Sequence, residues 1–570
     1  MKPRKSACLS DLSRPFPCFQ QVRKQDGEND ERMIRYVIVY LFVIFAASAS
    51  AAPPEAYPYW PEYRKVALAD IKPQAWRTVD DVIDGWDWAL PPELPPASNG
   101  LLAIRRAFSL KRPLENFVEP LNLPVNPTIA LWIKWRDLEP VEGQVDFATL
   151  RQRIEEADAL GYSVVLRLLC SATIFAPDWM TGKGIPIRAE HKTAKVTNYE
   201  ISHPEFHTRY LRLIDALGKS GIPRMKNLKG AFVGYASPSY GDEGIGPHGK
   251  DPDSVPHVIE RLDAWAHAFK DVKHKVFMGG ISQHGLKQGF GIRRGFVEMF
   301  LYHIPDERIG QRLDKHGYLW FDEDAAALRN NPFHGEENEE YEESWATAER
   351  DFRFGKNTVS FPYRYFTSNL RLLQMRCNYA LYNPFSLIPE QMVWVGQSLG
   401  RTVENTPDIW CALRESYVRN SGAVKNFERW LYQRDTEGYE TEPAIKVPHS
   451  IKMWMVKKDH YFDYVARKSR RIGFAVDDRW CGGEPVDVAI KVTFFDIGTG
   501  AITLSGHTAS GPSKRFIALK NTGIVKTATF FISKAVFPSK EMNHDFVFES
   551  EGDEAVLSFV RIIKVDGDRR

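Results

Sequence analysis

The chain has 570 residues, 43% of them hydrophobic and 12% aromatic, with 75 Lys and Arg against 73 Asp and Glu. That length can hold a large catalytic domain and one accessory domain. Near-balanced charge excludes the basic footprint of a nucleic-acid binder. Six cysteines without a C-x-x-C pair argue against a metal cluster, so no metal and no cofactor is expected.

The first segment reads as a targeting signal. Residues 34–46 are an apolar run with Arg35 near its start, followed by Ala-Ser repeats over 47–52 and by Pro53 and Pro54. A basic flank, a short apolar core and an A-x-A site describe a secretory signal cleaved after Ala51, and the core is short for a spanning helix. Met33 stands directly before it, so translation is expected to start there, with the signal over 33–51. A membrane anchor is the competing reading. The expected destination is secreted or periplasmic, with no stable membrane insertion after cleavage. Loss of 1–51 removes eight Lys and Arg and five Asp and Glu, leaving 67 and 68. Four cysteines remain, Cys170, Cys377, Cys411 and Cys481, with room for one disulfide.

Residues 52–99, rich in Pro and Trp, read as a leader that packs on the next domain. Strands are predicted over 101–108, 128–135, 162–169, 231–236 and 275–282. Helices are predicted between them over 148–160, stopped by Gly161, then 205–217 and 257–269. Strand and helix alternating at this spacing predict parallel strands with right-handed crossovers. Several such units in one domain favour a (β/α)8 TIM barrel over an open doubly wound sheet. No G-x-G-x-x-G follows the first strand, which weakens a dinucleotide alternative. Further on, strand six is expected over 296–301, strand seven within 331–343, a helix over 365–382, strand eight over 392–396 and a last helix over 412–434. The barrel is therefore assigned to 100–435 and a linker to 436–447. Short alternating segments from 471 onward predict a C-terminal β-sandwich over 448–570, bracing the barrel. The run R-K-S-R-R at 467–471 reads as a solvated strand edge, with contact to an anionic polysaccharide as the alternative.

The stretch most suggestive of chemistry is A-F-V-G-Y-A-S-P-S-Y-G-D-E-G over 231–244. It begins as a buried strand and ends on Asp242 and Glu243 between glycines. A barrel keeps its reactive groups at the C-terminal ends of its strands. The bland alternative is an acidic turn. A second acidic cluster, with six glutamates in eight positions, occupies 336–343. Taken singly, each member fits a solvated face. Glu139 and Asp146 are read as loop-fixing and helix-capping groups. Trp179, Tyr240 and Trp345 are sugar platforms or core, and His284 lines a pocket or serves a turn.

The phrase W-I-K-W-R-D-L-E-P-V-E-G-Q-V-D-F over 132–147, continued by G-Y-S-V-V-L-R over 161–167, resembles the second-strand signature of clan A retaining glycoside hydrolases. The family 42 β-galactosidases carry a similar phrase. The resemblance covers about 100–400 and is strongest over 128–170. It implies a catalytic acid/base ending strand four, which falls on Glu243, and a nucleophile ending strand seven. Glu336 is chosen for the latter, because 332–335 reads as the strand entering it; Glu337 and Glu339 stay open. The clan pattern has Asn before the acid, where this chain has Asp242. Tyr240, Asp242, Arg167, Trp135, His284, Glu337, Glu339 and Trp345 are the expected substrate contacts. The implied activity is hydrolysis of O-glycosidic bonds in a polysaccharide or oligosaccharide by a retaining mechanism; the phrase does not name the sugar, and a galactan-like glycan, sulfated or not, is the expected substrate. Two alternatives remain: a non-catalytic glycan-binding protein on a degenerate barrel, and a polysaccharide lyase, whose Tyr/His/Arg or calcium sites are not legible.

Overall fold

A computed structural model describes residues 68–107, 110–189, 197–234, 244–246, 250–296, 310–325, 333–337, 361–382, 388–418, 422–448, 462–538 and 544–565. Eight parallel strands close into a barrel. They are β1 (Leu101–Ala107), β2 (Pro127–Lys134), β3 (Ser163–Leu169), β4 (Leu228–Val233), β5 (Val276–Gly279), β6 (Gly291–Phe296), β7 (His334–Glu337) and β8 (Tyr379–Leu381). Strand β8 pairs with β1 to complete the ring. The expected TIM barrel is present, and an antiparallel β-sandwich follows it.

Helices α1 (Ala148–Ala159), α2 (Pro204–Lys219) and α3 (Pro256–Ala268) form where the apolar spacing predicts them. Proline at the start of α2 and α3 suits the first helical turn, where no N–H is needed. Their apolar faces bury Leu150, Ile154, Phe206, Leu213, Leu262 and Trp265 against the outward residues of β2 to β5. The interior is filled by aromatic rings. Phe277 stacks on Phe333 at 4.1 Å, and Tyr379 lies 5.6 Å from Phe333. Two glycines make that packing possible: a Cβ on Gly230 would stand 2.7 Å from the Phe333 ring, and one on Gly335 would stand 2.5 Å from that of Tyr379.

The second half departs from expectation in five places. Strand six lies at Gly291–Phe296, not 296–301. The apolar run 392–396 is inside helix α6 (Pro389–Ser398), not a strand. Met392, Trp394 and Val395 are buried there, and a short all-apolar run cannot distinguish a buried helix from a strand. Helix α5 (Phe361–Gln374) stops early because Arg376 takes a left-handed conformation, φ 61°, which frees Tyr379–Leu381 to become β8. The expected helix over 412–434 is instead the hairpin Asp408–Val418 and Gly422–Arg429. Its first strand also pairs with Ala555–Lys564, so the antiparallel sheet draws strands from 408 onward. Glu442–Pro448, in the expected linker, pairs with Phe462–Ser469.

Two cores serve this second half. One is internal to the sandwich and holds Leu413, Ile472, Phe474, Ile490, Leu504 and Phe548. The other joins sandwich, leader, α5 and α6. The leader strand Asp81–Asp84 pairs with Val525–Val536, and Trp88 packs 5.3 Å from Phe366, 5.2 Å from Trp394 and 5.9 Å from Phe559. Arg467 is a correction: it is not solvated but 1% exposed, donating to Glu415 at 2.7 Å and to the Thr441 carbonyl at 2.9 Å. It sits mid-sheet, paired with Pro443 on one side and Leu557 on the other. All four described cysteines are free thiols. No helix among the described residues is long and apolar enough to cross a membrane. The expected signal over 33–51 lies outside the described residues.

Candidate active site

The C-terminal ends of parallel strands leave backbone groups and side chains facing the loops above, which is where a barrel builds its chemistry. Here the loops after β2 and β3 are locked to one another. Arg136, in the helical turn Trp135–Leu138, donates to the carbonyls of Ala176 and Thr173, each at 3.0 Å, and pairs with Asp178 at 2.9 Å. The Trp179 indole donates to the Glu139 carbonyl at 2.8 Å. Glu142 accepts from Lys183 at 2.6 Å and from Arg209 at 2.8 Å; those two bonds hold its carboxyl below the usual range. The rim on this side is therefore built by side chains of the E-P-V-E-G phrase.

Glu139 accepts from the Trp135 indole and from the Gly143 amide, both at 2.7 Å, and Asp146 accepts from the Ala148 amide at 2.8 Å. Both carboxylates thus fix a loop and cap a helix, as the sequence suggests. Trp135 is fully buried among Trp179, Phe206 and Tyr210, outside the barrel ring, where it supports the rim rather than facing the mouth. His284, in the short helix α4 (Gln283–Lys287) after β5, bonds to Asp263 of α3 at 2.6 Å and so points toward the outer helix layer.

Arg167 comes from β3. It lies inside the barrel, 2% exposed, with its guanidinium 4.2 Å from the centroid of Trp132 and 4.6 Å from that of Phe232. Two further arginines enter the same interior. Arg106 of β1 lies 4.9 Å from the Trp132 ring, and Arg293 of β6 lies 5.1 Å from the Phe232 ring. Lys134, ending β2, stands 6.0 Å from the Phe175 ring. Asp137, half-buried in the turn above β2, is pushed up by burial, against the pull of Lys134, Lys111 and Arg136. The sequence reading missed Arg106, Arg293, Trp132 and Phe232. Period-two phasing could have found them, since positions 130, 132 and 134 share a face with 165, 167 and 169 through the β2–β3 register.

Strand β4 ends at Val233, and Tyr240, Asp242 and Glu243 lie outside the described residues, as do Glu339 and Trp345. Glu336 and Glu337 are backbone positions of β7. In the pairing with β8, Gly335 faces Tyr379, Glu336 faces Ala380 and Glu337 faces Leu381. Tyr379 and Leu381 belong to the interior cluster, Ala380 to the outer one. On the β6 side the register shifts between Gly335 and Glu337.

Residues 125–220 match the family model of glycoside hydrolase family 42, described as β-galactosidase. No curated protein matches the chain. Among solved structures, exo-β-1,4-mannosidase Op5Man5 from Opitutaceae bacterium strain TAV5 aligns at 14% identity over 48% of this chain and 49% of its own, with a TM-score of 0.26. This chain thus spans about half the length of that mannosidase. The β-galactosidase from Rahnella sp. R3 aligns at 12% identity over 54% and 57%, with a TM-score of 0.30. The catalytic domain of the β-amylase from Paenibacillus polymyxa aligns at 8% identity over 53% and 98%, also at 0.30. The matched segment takes in β2, α1, β3 and α2, and over it the chain is similar to the family 42 glycoside hydrolases.

Proposed function

We propose that this protein is an exported glycoside hydrolase that cleaves O-glycosidic bonds of a galactan-like or sulfated polysaccharide by double displacement. The observation that carries the reading is a closed parallel barrel in which β4 leads toward Asp242 and Glu243 while β7 contains the first glutamates of the second acidic cluster. The family 42 match over 125–220 supports the reaction class.

In this reading Glu243 protonates the leaving oxygen while a β7 carboxylate attacks the anomeric carbon. Glu243, now ionised, then deprotonates the water that releases the sugar. The two carboxyls of a retaining pair stand about 5–5.5 Å apart, a spacing that two strand ends can hold more firmly than one loop. The neighbouring charge of Asp242 favours the protonated form of Glu243. The sequence points to Glu336 as nucleophile. The register of β7 supports Glu337, which shares its phase with Gly335 and pairs with an interior residue.

The test is product release from a panel of plant and algal polysaccharides and aryl glycosides. Protein starting at Ala52 is compared with Glu243→Gln, Glu336→Gln and Glu337→Gln. Activity lost in Glu243→Gln and in Glu337→Gln, with Glu337→Gln restored by azide, is the expected result. Activity retained in Glu243→Gln refutes the acid assignment. Loss in Glu336→Gln alone returns the nucleophile to that position. No release from any substrate, together with tight binding of one glycan, refutes hydrolysis.

A further inference from the structure

One outer face of the sandwich is built unlike a plain brace. Its strands Gly511–Ala518, Gly500–Thr508, Phe546–Gly552 and Arg471–Val476 lie side by side in that order. Alternate residues turn inward: Ile517, Ile502, Leu504, Phe548 and Ile472 belong to the internal core. The residues between them turn outward, in rows set by the register. Phe516 stands beside Thr503, Thr503 beside Glu549, and Glu549 beside Arg471. The next row is Lys514, Ser505, Val547 and Gly473. Phe516 is 74% exposed, although an aromatic ring gains most from burial. On the far side, Arg471 lies 4.2 Å from the centroid of the Tyr439 ring and donates to its hydroxyl, and Tyr439 lies 4.0 Å from the His544 ring. A Cβ on Gly473 would stand 2.1 Å from His544 Nδ1, so that ring lies over the strand. Between the two sides, Glu549 accepts from Ser505 at 3.3 Å and pairs with Arg471 at 3.3 Å. Neighbouring strands run about 4.8 Å apart, so Phe516 and Arg471 stand on backbones about 14 Å apart.

We propose that this face of the sandwich binds a neutral glycan chain, in addition to any site in the barrel. A pyranose presents a face of C–H groups that packs on an aromatic ring and a rim of hydroxyls that seeks donors and acceptors. Phe516 offers the ring. Thr503, Ser505, Glu549 and Lys514 offer the polar partners beside it. The charges of these rows also suit an uncharged ligand: Lys514 and Arg471 are matched by Glu549 and by Glu551, which stands beside Ala501 one row on. A protein partner fits less well. A stable interface needs about 800 Å² on each side, whereas one aromatic side chain buries about 150–250 Å². A second copy adding a strand to Gly511–Ala518 would meet Pro512, which has no N–H to give, and the exposed Lys514; both blunt an edge.

The test is affinity electrophoresis of the full chain through gels that contain β-1,4-galactan, β-1,4-xylan or agarose. The wild type is run beside Phe516→Ala, Phe516→Tyr and Glu549→Ala, each checked for an unchanged Tm. At least one polysaccharide should retard the wild type. Phe516→Ala should weaken the apparent affinity at least about tenfold, the loss expected of a truncated aromatic anchor. Phe516→Tyr should keep most of it, and Glu549→Ala should lose part. Added salt should change little, since the ligand carries no charge. Retardation by none of the three, or equal retardation of wild type and Phe516→Ala, overturns the proposal. Retardation that salt abolishes overturns the neutral ligand. A dimer in sedimentation that Phe516→Ala dissolves assigns the ring to a second copy and overturns it too. Cleavage of the same polysaccharides is followed in parallel. Cleavage without Phe516-dependent retardation sinks the sandwich site and leaves the hydrolase standing. Phe516-dependent retardation without cleavage supports the sandwich site and counts against hydrolysis in the barrel.

Discussion

Replacing Lys491 with Met tests how the leader is held to the sandwich. The Lys491 ammonium lies 2.6 Å from the Asp87 carboxylate and 3.0 Å from the Thr529 hydroxyl, over the ring of Trp76. Its side chain is 2% exposed and that of Asp87 is 0% exposed. Burial pulls the Lys491 ammonium below its ordinary value, with Asp87 opposing the shift. Removing one partner of a buried pair costs about 3–5 kcal/mol, because the other charge stays buried and uncompensated. Two groups remain near Asp87: the Ala89 amide at 3.0 Å and Arg77 Nε at 3.6 Å. Arg77 is partly exposed and supplies a second positive charge, so the expected loss is at the low end, about 3 kcal/mol. Adding Asp87→Asn removes the stranded charge while keeping an acceptor for Ala89. The double variant should therefore recover to within about 1 kcal/mol of wild type. Urea unfolding followed by tryptophan fluorescence reads this directly, since Trp76, Trp86 and Trp88 belong to the leader. A single-variant loss under about 1 kcal/mol, or a double variant no better than the single, would refute the claim that this buried pair anchors the leader.

Three other predictions follow from the geometry. Burial holds His207 and His257 below the ordinary histidine value, against the pull of Glu260, with Arg261 repelling the charged form of His207 and His207 that of His257. A histidine that binds fewer protons when folded contributes full stability above about pH 6.5 and loses it as pH falls toward its folded value. The Tm should therefore drop between about pH 7 and 5, and His257→Gln should flatten that slope; a Tm that rises on acidification refutes it. Gly335→Ala forces a Cβ to within 2.5 Å of the Tyr379 ring, so the Tm should fall with a loss of about 1–3 kcal/mol; an unchanged Tm would mean that β7 and β8 are spaced differently. Trp135→Phe removes the indole donor to Glu139, so about 1–2 kcal/mol of stability should be lost while glycan affinity stays the same; a fall in affinity at unchanged Tm would return Trp135 to the binding surface.

The first five barrel strands were legible because each is an apolar run, and the second to the fifth are separated by amphipathic helices of distinct period. The helices could be placed from Pro204, Pro256 and Gly161, residues that start or stop a helix for steric reasons. The second half was not legible in the same way. Strand β8 is three residues long and directly follows a helix whose apolar spacing runs on through Tyr379. The helix stops at a left-handed arginine, a conformation to which residue type gives no clue. The segment 392–396 has the composition of a strand and is buried on all sides as a helix, so hydrophobicity could not decide it. The hairpin at 408–429 opens on a continuous buried apolar run, Ile409 to Leu413, which composition cannot distinguish from a buried helix.

For the site, motif and phase carried different information. The phrase over 132–147 identified a rim, and the structure shows why those residues go together: Glu139, Glu142 and Arg136 tie the loops after β2 and β3 and α2 into one surface. It also drew attention to Trp135, which lies one residue out of phase with the interior. Alternation along β2 and β3 selects Trp132 and Arg167 instead, and pairing carries the same phase to Phe232 on β4. Arg293 was lost because strand six was expected over 296–301, although Arg293 pairs with Gly335 of β7. A side chain's access to a barrel interior depends on the parity of its position, and a one-residue slip moves it to the outer layer. The same argument separates Glu336 from Glu337. They are adjacent in a run of acids that composition cannot resolve, and β8 offers them Ala380 and Leu381 in turn, one outer and one inner. Our proposal of Glu337 as nucleophile rests on that backbone register, on the same strand as Gly335, the register partner of Arg293.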